Sequence, residues 1–191
     1  MTAAHVFQLH ISLLYITPII WRRIQIKDTC SFWDLHIAIQ NAMGWHQTHG
    51  HLFKVMHPIS ETVLYIQEEG DLLSWETYVK PYIHHAPVVY CYDLEDHWDH
   101  CITLEQVLLI NPTHTYPRCM DGARACPPEE IGGPWGYDEY LTAIHHPNHP
   151  RYQELMGRLG STYQPEYFES CNVTFDDPQT LLSVRKQIGC K

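Results

Sequence analysis

The chain has 191 residues, with 12 Lys and Arg against 22 Asp and Glu, and its formal net charge is -10. This length suits one domain that buries enough surface to fold without disulfides or metals. The acidic balance argues against duplex DNA as a partner, because that surface needs clustered cations to displace counterions.

Two alternating stretches near the start predict an antiparallel pair of strands. Apolar residues occupy every second position in residues 5–14, and residues 19–26 alternate again. Arg22 falls on the apolar side of the second stretch, which indicates a rim residue or a paired charge. Ser31, Asp34 and Gly44 then supply the N-cap, capping box and C-terminal glycine of a helix.

The middle of the chain predicts further strands and a second hairpin. Short apolar runs suit strands at residues 52–56 and 62–66, and residues 75–83 suit a short helix that stops near Pro81. Residues 88–93 and 100–109 read as two strands joined by an acidic turn.

Residues 116–137 read Y-P-R-C-M-D-G-A-R-A-C-P-P-E-E-I-G-G-P-W-G-Y. Such a density of proline and glycine predicts a long loop rather than a helix or a strand. A long loop in a compact domain is usually functional or held by something specific. We therefore expect it to be fixed in one shape against the acidic turn.

Three helices are predicted after this loop, at residues 138–144, 149–159 and 177–188. Asn148 would cap the start of the second and Gly160 its end, and Gly189 would end the third. Strands come mostly before helices, which favours an α+β fold: a mixed, mostly antiparallel sheet with helices packed on it and one long Gly/Pro/Cys loop. The chain shows no repeat or linker, so residues 1–191 are predicted to form a single domain.

Cysteine usage and the N-terminus predict a cytoplasmic protein. Seven cysteines at irregular spacings suit free or metal-bound thiols in a reducing compartment. The first residues resemble no secretory leader, and no apolar run reaches the roughly 18 residues of a membrane span.

The acidic turn is a candidate metal site. Asp93, Asp96 and His100 lie within eight positions, with His49 as a further ligand, and a divalent metal there would activate water for hydrolysis. The alternative is a solvated turn with outward carboxylates.

A second candidate is a structural zinc site at Cys119 and Cys126, completed by histidines such as His100 or His49. Their spacing is wider than the usual knuckle, so thiols packed inside the loop are the alternative reading.

Aromatic and arginine side chains predict a binding groove between the long loop and the acidic hairpin. Aromatic faces beside arginine suit recognition of a peptide or carboxylate. The alternative is that the tryptophans fill the core. The residues assigned to this groove are Arg118, Arg124, Trp135, Trp98 and Asp96.

Four motifs resemble the Ri-plasmid ORF-3-like family: P-I-I-W-R-R-I at residues 18–24, F-x-D-L-H-x-x-I-Q-x-A-M-G-W at 32–45, Y-D-L-E-D-x-W-x-H at 92–100, and the loop at 116–137. The resemblance implies an α+β fold and a mobile-element origin, often under a "resolvase" label. This chain departs from the family pattern at three positions. It has Leu94 and Glu95 where the family has Phe and Gly, and Ile131 where many relatives have cysteine.

A binding module for a protein or peptide is the function that the sequence favours, with a metal-dependent hydrolase or a structural zinc module as alternatives. The serines lack the arginine context of a recombinase. The sequence also contains no Walker A loop, G-x-S-x-G elbow or H-E-x-x-H motif, so it indicates no particular reaction.

Overall fold

The computed structural model describes residues 4–159 and 163–189. Within these ranges the strands are β1 His5–Leu13, β2 Trp21–Lys27, β3 His51–Met56, β4 Val63–Gln67, β5 Val88–Tyr92, β6 Trp98–Leu109 and β7 Arg118–Ala123. The helices are α1 Phe32–Met43, α2 Lys80–Ile83, α3 Gly133–His145, α4 Tyr152–Leu159 and α5 Pro178–Gly189. None of these helices is long and apolar enough to cross a membrane.

All seven strands join one sheet in the order β4-β3-β5-β6-β1-β2-β7, and every neighbouring pair runs antiparallel. Consecutive strands β1 and β2 form one hairpin, and β5 and β6 form another. The predicted α+β class is therefore confirmed, with helices beside an antiparallel sheet.

The alternation of β1 places its apolar side chains in the core. Phe7, Leu9, Ile11 and Leu13 are all at most 2% exposed. Helix α1 covers this side of the sheet and begins as the sequence predicted. Ser31 and Asp34 form a full capping box, which typically contributes about 1 kcal/mol.

The prediction that no regular element enters residues 116–137 is wrong at both ends. Strand β7 pairs with β2 along one edge of the sheet, and α3 already begins at Gly133. Gly122 in this strand marks a close backbone approach, since a Cβ there would lie 2.8 Å from the carbonyl oxygen of Trp21. Pro134 fits the first turn of a helix, where its missing N–H is no loss.

Two helix boundaries also differ from the sequence-based expectation. Pro81 lies in the first turn of α2 rather than at its end, so residues 75–79 are not helical. Helix α4 begins at Tyr152, and Asn148 therefore does not cap it. The expected glycine end at Gly160 lies outside the described residues.

Candidate functional site

The central segment, defined here as residues 116–137, is anchored by hydrogen bonds to the end of α1 and to β5. The indole Nε1 of Trp45 donates to the carbonyl oxygen of Pro127 at 2.8 Å. Glu129 accepts a short hydrogen bond from the Tyr92 hydroxyl and another from the backbone N–H of His46 at 3.1 Å. The Trp45 hydrogen bond is buried and therefore costly to break, so these contacts together favour a single conformation.

The same segment also contacts the acidic hairpin between β5 and β6. Asp93 Oδ1 accepts from the backbone N–H groups of Glu95 and Asp96, which closes a tight turn. Asp96 Oδ2 in turn accepts from the N–H of Gly132 at 3.2 Å, next to the start of α3. Asp93 and Asp96 therefore stabilise the turn and its contact with the central segment.

Two of the five residues predicted to line a groove, Trp98 and Arg124, are buried. Trp98 has no exposed area. Arg124 is buried and donates to Glu166 and to the carbonyl oxygen of Pro18. Of the remaining three, Arg118 donates to His114 Nδ1, Asp96 accepts from the N–H of Gly132, and Trp135 lies in the first turn of α3.

A groove lies between α3 and the connection from β1 to β2, with Trp135 and Tyr15 at its rim. The two rings are stacked, with centroids 6.2 Å apart and planes inclined by 25°. They are 73% and 69% exposed, which is unusual for large aromatic side chains. The groove encloses about 330 Å³, and its other lining residues are Ile16, Thr17, Pro134, Tyr137, Asp138 and Leu141. We call it the Tyr15–Trp135 groove.

Local chain geometry explains how α3 presents Trp135. Gly136 approaches Ile131 so closely that a Cβ would lie 1.9 Å from the Ile131 carbonyl oxygen. On either side of Gly136, Tyr137 is buried in the core at 1% exposed and Trp135 is largely exposed. On the opposite wall, Tyr15 adopts a φ of +64°, a conformation that is costly for a non-glycine residue and is often found at functional sites.

The predicted metal ligands of the acidic turn are only partly brought together. His49 Nδ1 lies 3.5 Å from Asp93 Oδ2. His100 is fully buried, its Nδ1 lies 3.3 Å from the Tyr90 carbonyl oxygen, and burial lowers its pKa to about 4. Asp96 is engaged with Gly132. Metal-dependent hydrolysis at this turn stays a prediction.

Cys119 and Cys126 both lie near the buried guanidinium of Arg22. Burial raises the pKa of both thiols, which favours their protonated form. Cys119 Sγ donates to the carbonyl oxygen of Asp121 at 3.6 Å. A zinc ion between them stays a prediction, and it would be opposed by the positive charge of Arg22.

Arg22 itself is a central part of the structure. Its guanidinium donates to the carbonyl oxygens of Ala42, Trp21 and Ala123 at 2.8 to 3.0 Å. The ring of Phe168 stacks 3.7 Å from its Cζ. The side chain is 1% exposed, so Arg22 joins β2, α1 and β7 from inside the protein rather than lying at a rim.

Sequence reasoning missed a buried pair of histidines beneath α5. The rings of His36 and His51 stack with centroids 3.9 Å apart. His36 Nδ1 lies 2.8 Å from the Tyr90 hydroxyl, and His51 Nδ1 lies 3.2 Å from Glu68 Oε1. Burial lowers the pKa of both histidines, so they are neutral at physiological pH. Arg185 of α5 donates to Glu68, which connects the helix to this cluster.

Fold and surface together define an α+β protein with one antiparallel sheet and an aromatic groove beside an anchored Gly/Pro segment. The chain belongs to the family described as plasmid pRiA4b ORF-3-like protein, whose sequence model matches residues 5–172. An uncharacterised protein of Sinorhizobium fredii, y4hQ, is 33% identical over 170 residues, 83% of each chain. The crystal structure of MM3350 from Methanosarcina mazei Go1, a protein of unknown function, is 36% identical with a TM-score of 0.86, covering 91% of this chain and 100% of that one.

Proposed function

We propose that this protein is a peptide-binding module and that the Tyr15–Trp135 groove is its binding site. The occupant is a short extended segment of a partner protein, with a proline or aliphatic side chain on the aromatic rings and a basic side chain next to Asp138. The observation that carries this proposal is the stacked pair of largely exposed aromatic rings above a groove of about 330 Å³.

Exposed aromatic side chains support a binding role because they lose more water-exposed apolar area on binding than other residues do. Trp135 and Tyr15 already stack on each other, so less conformational freedom is lost when a ligand packs on them. Arg124 fixes one wall by donating to the carbonyl oxygen of Pro18 at 2.6 Å. Grooves lined by aromatic rings are a recurrent way to bind proline-containing peptides, which are already extended.

Charge supports a basic residue in the occupant. Asp138 is the carboxylic acid among the groove residues, and the whole chain carries a formal net charge of -10. An acidic surface speeds association with a cationic partner and disfavours acidic ones.

An array of short peptides, varied at proline, aliphatic and basic positions, tests the proposal. The wild-type protein should retain peptides that combine a proline or aliphatic residue with Lys or Arg. The Asp138→Asn variant should lose the preference for the basic residue and keep the apolar preference. Retention of the same peptides by Trp135→Ala, or no selective retention by the wild type, would rule out this groove as the binding site.

A further inference from the structure

Three side chains with metal-binding atoms meet next to the turn of the β5–β6 hairpin, outside the Tyr15–Trp135 groove. Cys91 and Asp99 are directly opposite one another in the antiparallel ladder, so their side chains share one face of the sheet. His97 lies just before β6 and brings its imidazole to the same place. The Cys91 sulfur, an imidazole nitrogen and a carboxylate oxygen all lie within 4.8 Å of one another.

We propose that Cys91, His97 and Asp99 form a zinc site with an open fourth position. In a tetrahedral zinc site, sulfur at about 2.3 Å and nitrogen at about 2.1 Å are separated by about 3.6 Å. Cys91 Sγ and His97 Nδ1 lie 3.6 Å apart in a hydrogen bond whose proton a metal would replace. The pair therefore already has the separation that the metal requires.

Asp99 provides an independent indication. Its Oδ1 atom is buried and has no hydrogen-bond partner in the described part of the chain. A buried carboxylate oxygen without a partner is costly, and a bound cation is one of the few ways to satisfy it. Buried imidazole nitrogens of His49, His51 and His100 also lack partners. Asp99 differs from them because, among the described residues, it is the one that lies with two other ligand atoms within 4.8 Å.

The donor set selects the metal. One sulfur, one imidazole nitrogen and one carboxylate oxygen suit zinc, whereas magnesium and calcium prefer oxygen donors alone. A thiolate and a carboxylate also neutralise a dication. Burial and the neighbouring Asp99 raise the pKa of the Cys91 thiol to about 12, so zinc has to displace the thiol proton when it binds. His97 is exposed while Cys91 is buried, so the ion has a route from solvent.

Titration of the metal-stripped full chain with zinc, followed by calorimetry, tests the site. One equivalent should bind, and cobalt in its place should show the charge-transfer absorption of a cobalt–thiolate bond. His97→Asn is the first variant, because asparagine tolerates the φ of +54° at this exposed position. It should weaken zinc binding at least about tenfold, as should Asp99→Asn. Cys91→Ser should abolish the cobalt–thiolate band.

The matched control is Cys119→Ser, which changes the thiol of the alternative zinc site. Zinc affinity and the cobalt spectrum should be unchanged in this variant. No stoichiometric zinc in the wild type, or the same affinity in His97→Asn and Asp99→Asn as in the wild type, would overturn the proposal. Loss of the thiolate band in Cys119→Ser instead would move the site to the central segment.

Discussion

The backbone carbonyl oxygen of Asp96 occupies the space where Gly133 would carry a side chain. A Cβ on Gly133 would lie 2.3 Å from this oxygen, and the residue also has a φ of +68°. Gly133→Ala should therefore separate α3 from the acidic hairpin and lower the free energy of unfolding by about 2–4 kcal/mol. Urea denaturation measures this change.

Gly157 in α4 is the matched control for this substitution. A Cβ there meets no atom within 4 Å, so Gly157→Ala should leave stability unchanged or raise it by up to about 1 kcal/mol. Equal stability of Gly133→Ala and the wild type would show that the central segment is not held against the hairpin.

Arg22 should be irreplaceable by lysine even though the charge is kept. Its planar guanidinium donates to three carbonyl oxygens and stacks on Phe168, and a lysine ammonium cannot reproduce that arrangement. We expect Arg22→Lys to cost about 2–4 kcal/mol of unfolding free energy, because buried acceptors lose their donors.

The neighbouring Arg23 provides the comparison. It forms ion pairs with Glu105 and Asp121 on the exposed face of the sheet. Pairs of this kind contribute little in water, so Arg23→Lys should change stability by less than about 1 kcal/mol. Similar losses in the two variants would contradict the role assigned to the buried guanidinium.

The buried pair His36 and His51 predicts loss of stability in mild acid. Burial lowers the pKa of both below the ordinary value, and for His36 the neighbouring His51 adds to the effect. The unfolded chain therefore binds more protons than the folded one below about pH 6.5. The free energy of unfolding should fall with pH from there, by up to about 1.4 kcal/mol per pH unit for each histidine.

Glu68 causes a further loss of stability over a separate, lower pH range. Although burial alone would raise its pKa, hydrogen bonds from His51 and Arg185 hold it at about 2. Its contribution is lost only below about pH 4.3. Chemical denaturation at a series of pH values separates the two windows. His36→Gln should reduce the slope between pH 6.5 and 5, and an unchanged slope would exclude this histidine as its source.

Much of the fold follows from short-range patterns in the sequence. Alternation placed Leu9 and Ile11 in the core, and the Ser31 and Asp34 pattern located the start of α1. Strand β7 was missed because its local composition disfavours a strand, and pairing with β2 decides the outcome. Arg22 was read as a rim or paired charge because sequence does not show the carbonyl oxygens that surround it.

The candidate sites depend on contacts that are distant in sequence. Trp135 was predicted as a binding residue, but its partner Tyr15 lies in a connection 120 positions earlier and carries no motif. The Cys91 and Asp99 pairing was not predicted, because Asp99 was assigned to the turn before residues 100–109, whereas β6 begins at Trp98 and pairs Asp99 with Cys91. The metal prediction included His100 because this residue follows the acidic turn, but its side chain is buried in the core.

The most direct test of the account is the affinity of Trp135→Ala for peptides that the wild-type protein selects from the array, measured by calorimetry. Loss of a central aromatic contact should weaken binding by at least about tenfold, or about 1.4 kcal/mol. Tyr65→Ala is the control, because Tyr65 is 55% exposed on β4 at the opposite end of the sheet from β7. It should bind as the wild type does. Equal affinities for Trp135→Ala and Tyr65→Ala would contradict a peptide-binding role for the Tyr15–Trp135 groove.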